Sequence, residues 1–454
     1  MLTAVDRLPT LMGGCAEIFV LERAVRKLAS RRDRQSLEKD EMTETIVRLD
    51  QPELDDLLCD LAINDPVEYY GRLRTIDPVY WNERWRGWIV TGYPEVAAGY
   101  RDHRRLSSDR FAGPFGADLR AQASTYETLI GFLSNFFVFK DRPSHTRLRA
   151  LVNKAFTPRS VDVIRYQVRE LVDDLVQRLV GAEDVDFFAH FAFPLPVIVI
   201  AEYLGIPADG RDRLRRWTED LAKVIFVSGR DEDRMEKGEA AMVELVDYLR
   251  PIVRDKRNNP KADLLTGMVQ AKERGDFLSE DEVIANTVLM MFGGNETTMN
   301  LLANSMVAFS RFPDQWQLLR DNPSMAATAV EELLRYDGPI RAMGRWAKEP
   351  FDIGEHRIRE GDRVLLVQYG ANHDPQAFAD PDRLDIGRWP NKHLTFGQGI
   401  HTCVGAPLAR LEVQEALTAL TAQFRGLEIA DSRLEYTPTV VSRSLQQLHV
   451  RFHA

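Results

Sequence analysis

Cysteine is scarce in this sequence of 454 residues, where only Cys15, Cys59 and Cys403 are present. Such an odd and sparse set cannot form a disulfide framework, so a reducing compartment is expected. No Cys-x-x-Cys pair is present to indicate a structural zinc site. The cysteine content therefore predicts a cytoplasmic protein.

Long apolar runs are also missing. The best early stretch, residues 11–21, is short and contains Glu17, whereas a membrane-spanning helix needs about 20 apolar residues. That charge, and the absence of a small-residue cleavage pattern, also argue against a signal peptide. We therefore expect no membrane segment.

The sequence has no excess of positive charge, because 59 Lys and Arg residues stand against 69 Asp and Glu, a formal net charge of −10. Binding to nucleic acid in general requires a basic surface, so that class of function is excluded. Hydrophobic residues make up 44% and charged residues 28%, which argues against a disordered chain or a coiled coil. A globular chain of this length is able to bury a deep, enclosed site.

Helical periodicity dominates the sequence. The highly charged residues 22–41 predict a solvated helix or arm, so we treat 1–45 as an extension of unknown role and 46–454 as one continuous domain. Few segments have the pattern of strands. Strands are predicted at 87–91, 363–367 and 448–452, and helices include 145–156, 159–181, 234–257 and 280–311. The pattern predicts a mainly α fold with small β-sheets.

The segment 280–311 is apolar on nearly every face, which is typical of a helix buried in the middle of a large protein. Its middle reads Gly293-Gly294-Asn295-Glu296-Thr297-Thr298. Two glycines inside a helix cost roughly 1 kcal/mol each relative to alanine, so they either end the helix or leave space for something large. The apolar residues that follow favour a continuing helix and therefore the second interpretation.

A glycine-rich loop, Phe396 to Gly405, surrounds Cys403 and leads directly into a helix that starts at Ala406. A thiolate in this position receives backbone N–H groups and the positive end of the helix dipole, which lower its pKa and suit it to hold a metal. A buried free cysteine in a turn is the alternative. The surrounding glycines, Phe396 and His401 favour the metal ligand.

This loop resembles the haem-binding loop of the cytochrome P-450 family, whose pattern is Phe-x-x-Gly-x-x-x-Cys-x-Gly. The resemblance runs from about Val79 to the C-terminus, and the helix after Cys403 is similar to that of soluble bacterial members. It implies that haem b is bound with the Cys403 thiolate as proximal iron ligand. It also implies that the haem lies between a central kinked helix and the loop containing Phe396 and Gly405.

The Gly293-Gly294-x-Glu296-Thr297 segment resembles the oxygen-binding motif of the same family. The resemblance implies that Glu296 and Thr297 are catalytic, since an acid and an alcohol can relay the protons that dioxygen must receive before its O–O bond breaks. Gly293 is then expected beside the cofactor. The alternative is that Thr297 only bonds a carbonyl of its own helix.

Four cations match family positions that bind the two haem propionates. His145 and Arg149 lie four residues apart on one predicted helix. Arg345 lies ten residues after Arg335, and His401 is in the cysteine loop. Arginine suits a buried carboxylate because its donors bind in a bidentate manner. For His145, a satisfied residue at a helix start is the alternative.

The segment Glu332-x-x-Arg335 places a carboxylate and a guanidinium on one helix face. By itself this spacing predicts a surface ion pair. The family resemblance instead implies a structural pair that is tied to the chain before the cysteine loop.

The resemblance implies a monooxygenase that activates dioxygen and inserts one oxygen atom into a mostly apolar small molecule. Electrons are expected from a separate ferredoxin and ferredoxin reductase, and the protein is expected to be a monomer. An acidic ferredoxin is predicted to dock on a group of basic residues. These are Arg147, Lys154, Arg159, Lys392 and Arg410.

Substrate contacts are expected from Met290, Gly293 and several loops, which are residues 113–137, 222–228, 340–343 and 440–442. The phenylalanines of the first loop either line the pocket or belong to the core, and Arg341 either binds a substrate carboxylate or faces outward. Two other classes stay open. One is a haem sensor or carrier without turnover, and the other is a nucleotide-dependent oxidoreductase, although the glycine loop lacks the third glycine of that motif.

Overall fold

Helices dominate the computed structural model, which describes residues 52–207, 211–226, 233–273 and 275–453. The chain from Asp55 onward forms one compact unit. The extension predicted for residues 1–45 lies outside the described residues. Within the described ranges, no helix combines the length and apolar character that crossing a bilayer requires.

The helices are numbered in chain order. They are α1 (Asp60–Asn64), α2 (Pro66–Ile76), α3 (Tyr93–Arg101), α4 (Gly113–Ala121), α5 (Glu127–Leu133), α6 (Ser144–Ala155), α7 (Pro158–Val163), α8 (Arg165–Leu179), α9 (Pro194–Leu204), α10 (Arg211–Ile225), α11 (Arg234–Asn258), α12 (Leu264–Gln270), α13 (Glu280–Arg311), α14 (Pro313–Asp321), α15 (Ala326–Asp337), α16 (Gln368–Asn372) and α17 (Ala406–Gln423). Short 3₁₀ turns cover Pro52–Asp55, Phe137–Phe139, Pro323–Met325 and Gly399–His401, and a π turn covers Phe188–Ala192.

The strands form small sheets. They are β1 (Val79–Asn82), β2 (Gly87–Val90), β3 (Leu106–Ser107), β4 (Val185–Asp186), β5 (Lys272–Glu273), β6 (Asp276–Phe277), β7 (Met343–Ala347), β8 (Phe351–Ile353), β9 (His356–Ile358), β10 (Arg363–Leu366), β11 (Gly426–Ile429) and β12 (His449–His453). The largest sheet has the order β1-β2-β10-β7-β3, and a second has the order β11-β12-β4. In the largest sheet β2 and β10 are parallel, with Ile89 opposite Leu365.

Helix α13 runs through the core and packs against α9, α10, α11, α15 and α17. It begins with a capping box, in which Ser279 and Glu282 bond each other's backbone N–H groups. It continues without interruption through Gly293 and Gly294. A Cβ on Gly294 would lie 3.4 Å from Ile200 of α9, so this glycine allows close packing of the two helices.

The predicted mainly α fold with small β-sheets is confirmed. The predicted strands correspond to β2, β10 and β12, and the long predicted helices correspond to α6, α11 and α13. The helix predicted at 159–181 is divided into α7 and α8 at Ile164, whose backbone angles (φ −91°, ψ 0°) lie outside the helical region. Periodicity continues across such a break because both helices bury the same apolar side.

The pair Glu332 and Arg335 on α15 is completely buried, so the prediction of a surface ion pair is wrong. The two side chains form hydrogen bonds of 2.8 and 2.9 Å. Arg335 also donates to the carbonyls of Asn372, Pro381 and Arg383. The pair therefore fixes α15 to the segment that leads into the cysteine loop.

Glu332 has additional donors, because Arg388 lies 3.1 Å away, Asn391 lies 3.0 Å away and the backbone N–H of Asp385 binds at 3.0 Å. A buried carboxylate is tolerated only when it is satisfied in this way. Its donors come from the chain between residues 385 and 391, so the charge organises that segment.

We expect Glu332→Gln to lower the free energy of unfolding by about 3–5 kcal/mol, because it leaves buried guanidinium groups without their counter-charge. The matched control is Glu68→Gln, which removes the partner of Arg72 in a pair whose side chains are 52% and 41% exposed. That change is expected to cost at most about 1 kcal/mol. Urea denaturation measures both values, and equal losses would contradict the assignment.

Candidate active site

The cysteine loop is a tight turn between residues 396 and 405. The Cys403 N–H donates to the Phe396 carbonyl at 2.9 Å. Gly397 (φ 64°) and Gly399 (φ 73°) adopt the left-handed conformation that glycine favours. A Cβ on Gly399 would also lie 2.8 Å from the Tyr100 carbonyl oxygen. Glycine is therefore required there both by the turn and by the close approach of α3.

Cys403 is a free cysteine and an exposed residue. Burial nevertheless raises the pKa of its thiol, while the backbone N–H groups of Gly405 and Ala406 and the charges of Arg149 and Arg410 act in the opposite direction. The predicted lowering of the pKa is therefore wrong for the protein alone, because burial outweighs the dipole. A bound cation would supply the missing stabilisation, since a coordinating thiol is deprotonated.

The middle of α13 carries an accessible stripe. Leu289, Gly293, Glu296 and Thr297 are partly exposed on a helix that is otherwise mostly buried. Their spacing places them on one helix face. A Cβ on Gly293 would meet nothing within 4 Å, so this glycine faces open space, in contrast to Gly294. The stripe therefore leaves accessible space beside the middle of α13.

Thr297 and Glu296 differ in the hydrogen bonds that their side chains form. The Thr297 hydroxyl donates to the Gly293 carbonyl at 2.6 Å, so the bond of the alternative interpretation is present. No hydrogen bond reaches the Glu296 carboxyl from the described residues. Burial, together with the charge of Glu219, raises the pKa of Glu296 to about 8. Glu296 is therefore a protonated acid at neutral pH.

His145 and His401 lie side by side, with ring centroids 4.1 Å apart. Among the described residues, neither ring nitrogen of His145, nor Nε2 of His401, has a hydrogen-bond partner, although all three are buried. The interpretation of His145 as a satisfied residue is therefore wrong. Burial and neighbouring cations lower the pKa to about 4 for His145 and to about 2 for His401.

Two arginines lie with these histidines, which are neutral at pH 7. Arg345 is 8% exposed, and burial lowers its pKa. Among the described residues, its guanidinium donates to the adjacent Gly344 carbonyl at 2.8 Å and to no other acceptor. Arg149 donates to the Thr402 carbonyl at 2.7 Å, which fixes it against the cysteine loop. The structure therefore brings His145, Arg149, Arg345 and His401 together.

Arg110, which no sequence motif marked, is a further cation of this region. Burial and the charge of Arg345 lower the pKa of Arg110 to about 10, and its guanidinium donates to the Ile225 carbonyl at 2.5 Å. The nearby acid, Asp141, is already bound by Ser107 and by the Ser108 N–H. The buried arginines require anions, and the orphaned nitrogens of the neutral histidines offer further hydrogen bonds. The two carboxylates of a haem fit both requirements.

A model of the cytochrome P450 family matches residues 220–441. The biotin biosynthesis cytochrome P450 of Bacillus subtilis (strain 168) is 34% identical over 392 residues, which cover 86% of this chain and 97% of that protein. This chain belongs to the cytochrome P450 family. The polyketide biosynthesis cytochrome P450 PksS of the same organism is 36% identical and covers 85% of this chain and 96% of its own length.

Solved P450 structures have the same fold. P450BioI in complex with a hexadec-9Z-enoic acid-ligated acyl carrier protein has a TM-score of 0.79 and 34% identity, covering 86% of this chain and 98% of that one. CalO2 has a TM-score of 0.80 and 30% identity, covering 87% and 98%. As a P450, the protein is an oxidoreductase, a monooxygenase whose cofactor is haem b.

Several charged side chains around the site have partners within the protein. Arg341 does not face outward, because it is 1% exposed and donates to the carbonyls of Thr439 and Ala62. Three of the five predicted docking cations are neutralised within the protein. Arg147 pairs with Asp276 and Glu282, Lys154 with Glu273, and Arg410 with Glu331.

The predicted pocket residues also divide into two groups. Phe136 and Phe137 belong to the core, at 0% and 2% exposure, and Met290 is buried as well. Gly293 faces open space, and Phe226 contacts Phe292 at a centroid distance of 5.1 Å.

We expect the haem-free protein to bind haem more tightly than haem dimethyl ester, which lacks both carboxylates. Each charge-assisted hydrogen bond contributes about 1.5–3 kcal/mol, so Arg345→Gln is expected to reduce this preference roughly 10- to 100-fold. Arg104→Gln, at a side chain that is 84% exposed, is the matched control. Spectroscopic titration with the two porphyrins measures the ratio, and an unchanged ratio in Arg345→Gln would exclude a propionate partner.

Proposed function

We propose that Cys403 is the iron ligand of this monooxygenase, that Glu296 and Thr297 deliver protons, and that a separate ferredoxin supplies electrons. The product is a mostly apolar small molecule that has gained one oxygen atom. The observation that carries the proposal is the accessible stripe of α13, where an unpartnered acid lies next to an alcohol on a helix that is otherwise buried.

When bound through a cysteine thiolate, haem supplies the activation of dioxygen. The protein binds the propionates through the cations of α6 and β7 and excludes water with the apolar core. The Thr297 Oγ1 hydrogen is held by the Gly293 carbonyl at 2.6 Å, which leaves the oxygen lone pairs open. To act in the relay, the hydroxyl would turn from the Gly293 carbonyl toward the accessible face of α13, release its proton there and take another from the protonated Glu296 carboxyl.

An apolar substrate is supported by the residues around the stripe, which include Leu289 and the contacting rings of Phe226 and Phe292. Arg341 is committed to backbone carbonyls, so it offers no anchor for a substrate carboxylate. Solved relatives hold large apolar molecules. CYP109E1 from Bacillus megaterium is complexed with corticosterone or testosterone, and P450BioI with a fatty acyl group on a carrier protein.

Docking of an acidic ferredoxin is supported by cations that lack an intramolecular counter-charge. Within the described residues, Lys392 and Arg159 are exposed and have no ion pair. Arg101 is exposed too, and it donates to Gln398 of the cysteine loop at 3.2 Å. These three replace the paired Arg147, Lys154 and Arg410 in the docking surface.

Thr297→Ala tests the relay. The variant is expected to retain haem and the spin-state shift on substrate binding, while most electrons from NADH appear as hydrogen peroxide, because no hydroxyl delivers the proton. Thr298→Ala is the control, since Thr298 is adjacent but 2% exposed. Product and peroxide are quantified per NADH consumed, and full coupling in Thr297→Ala would contradict the relay.

Glu296→Gln tests the acid. Because the pKa of Glu296 is about 8, its proton is available below this pH and is lost as the pH rises through it. Wild-type turnover is therefore expected to fall above about pH 8. The variant should be about 100-fold slower and should lack this decline. A wild-type profile that stays flat to pH 9, or a variant with the same decline, would show that another group supplies the proton.

Lys392→Gln and Arg101→Gln test the docking surface. Each is expected to raise the KM for ferredoxin a few-fold and to weaken its salt dependence, because rim charges act mainly on association. Arg147→Gln is the control, since its charge is already balanced by Asp276 and Glu282. Steady-state kinetics at several salt concentrations measure the effect. If all three variants respond equally, the docking surface lies elsewhere.

A further inference from the structure

A cluster of three charged or titratable side chains lies against the cysteine loop. Arg410 on α17 binds Glu331 on α15 through two hydrogen bonds, of 2.5 and 2.8 Å. His393 contacts the same carboxylate, with Nε2 3.1 Å from Glu331 Oε2. His393 is 4% exposed and Glu331 26%. Arg410 therefore has one fixed position, unlike a free surface cation.

The guanidinium of Arg410 lies over the ring of Phe396, 4.6 Å from its centroid. Phe396 in turn accepts the backbone hydrogen bond of Cys403. The ion pair therefore has one orientation. The guanidinium of Arg410 lies against the loop, and the carboxylate of Glu331 lies on the side of α15. A fixed charge in a half-buried position is screened far less than an exposed one.

Two cations lie against the loop that carries the Cys403 sulfur. Arg149 of α6 donates to the Thr402 carbonyl at 2.7 Å, and Arg410 of α17 lies over the ring of Phe396, the residue whose carbonyl accepts the Cys403 N–H. Arg149 also belongs to the group of residues that fits the haem propionates, whereas Arg410 does not belong to that group. Arg410 was predicted to bind ferredoxin. Its donors are bound to Glu331, so they are not available for docking.

We propose that Arg410 is a positioning residue for charge on the Cys403 sulfur, where its fixed positive charge draws electron density from the thiolate and raises the haem reduction potential. This inference rests on the proposed function, because it takes Cys403 as the iron ligand. Groups around the ligating sulfur tune the potential of haem and iron–sulfur sites in general. Glu331 and His393 act through Arg410 by fixing its orientation.

A purely structural role makes a different prediction. If the ion pair only joins α15 to α17, loss of either partner weakens that junction in the same way. A charge acting on the sulfur instead gives effects of opposite sign, because Arg410 and Glu331 carry opposite charges.

The experiment measures the reduction potential of the purified, haem-loaded protein by dye-mediated titration in the absence of ferredoxin. Arg410→Gln is expected to lower the potential, and Arg410→Lys, which keeps the charge, to stay near the wild-type value. Glu331→Gln leaves Arg410 without its counter-charge and is expected to raise the potential. Arg104→Gln removes a cation that is 84% exposed and lies outside the docking surface, and it is expected to leave the potential unchanged.

The absorption of the reduced carbon monoxide complex is recorded for every variant. A wild-type potential in Arg410→Gln, or a decrease in Glu331→Gln equal to that in Arg410→Gln, overturns the inference. If Arg410→Gln does not fold, Glu331→Gln still decides the inference, because a potential at or below the wild-type value in that variant overturns it. If wild-type protein lacks the red-shifted band of thiolate ligation, the proposed function fails instead, so the two failures are distinguishable.

Discussion

Burial of unpaired polar groups beside an accessible cysteine is the constraint on which the rest of this structure depends. His145 and His401 have buried ring nitrogens without partners, and burial depresses the pKa of both the histidines and Arg345. At the same time burial keeps the Cys403 thiol from ionising. A ligand with two carboxylates and a metal cation satisfies both requirements, which is why haem belongs to the stable form of this protein.

The scaffold holds this arrangement from two sides. The buried Glu332–Arg335 pair fixes the segment before the cysteine loop, and the Glu331–Arg410 pair fixes the helix after it. A third brace runs from Tyr100 to Gln368, which donates to the Thr395 carbonyl at 3.0 Å. Helix α13, which packs against α15 and α17, is continuous and has an accessible face in its middle. The position of the sulfur therefore depends on α3, α15, α16 and α17 together.

Much of this could be predicted from the sequence because its signals are local. Periodicity gave α6, α11 and α13 nearly to the residue, and the glycines around Cys403 marked a turn that only glycine can form. Cation positions were predicted through family resemblance. The partners of a charged side chain cannot be predicted from the local sequence, because they come from distant parts of the chain. Arg341 and Arg410 read as free cations in the sequence, yet residues far away in the chain, Thr439 and Glu331, determine their use. Burial likewise reversed the expected pKa of Cys403.

The central claim is the bond between the Cys403 sulfur and haem iron, and the spectrum of the reduced carbon monoxide complex tests it most directly. Wild-type protein loaded with haem is predicted to give the red-shifted absorption of a thiolate-ligated haem, and Cys403→Ser is predicted to bind haem without it. A wild-type spectrum that lacks this band in folded, haem-replete protein, or a band that persists in Cys403→Ser, would contradict the account.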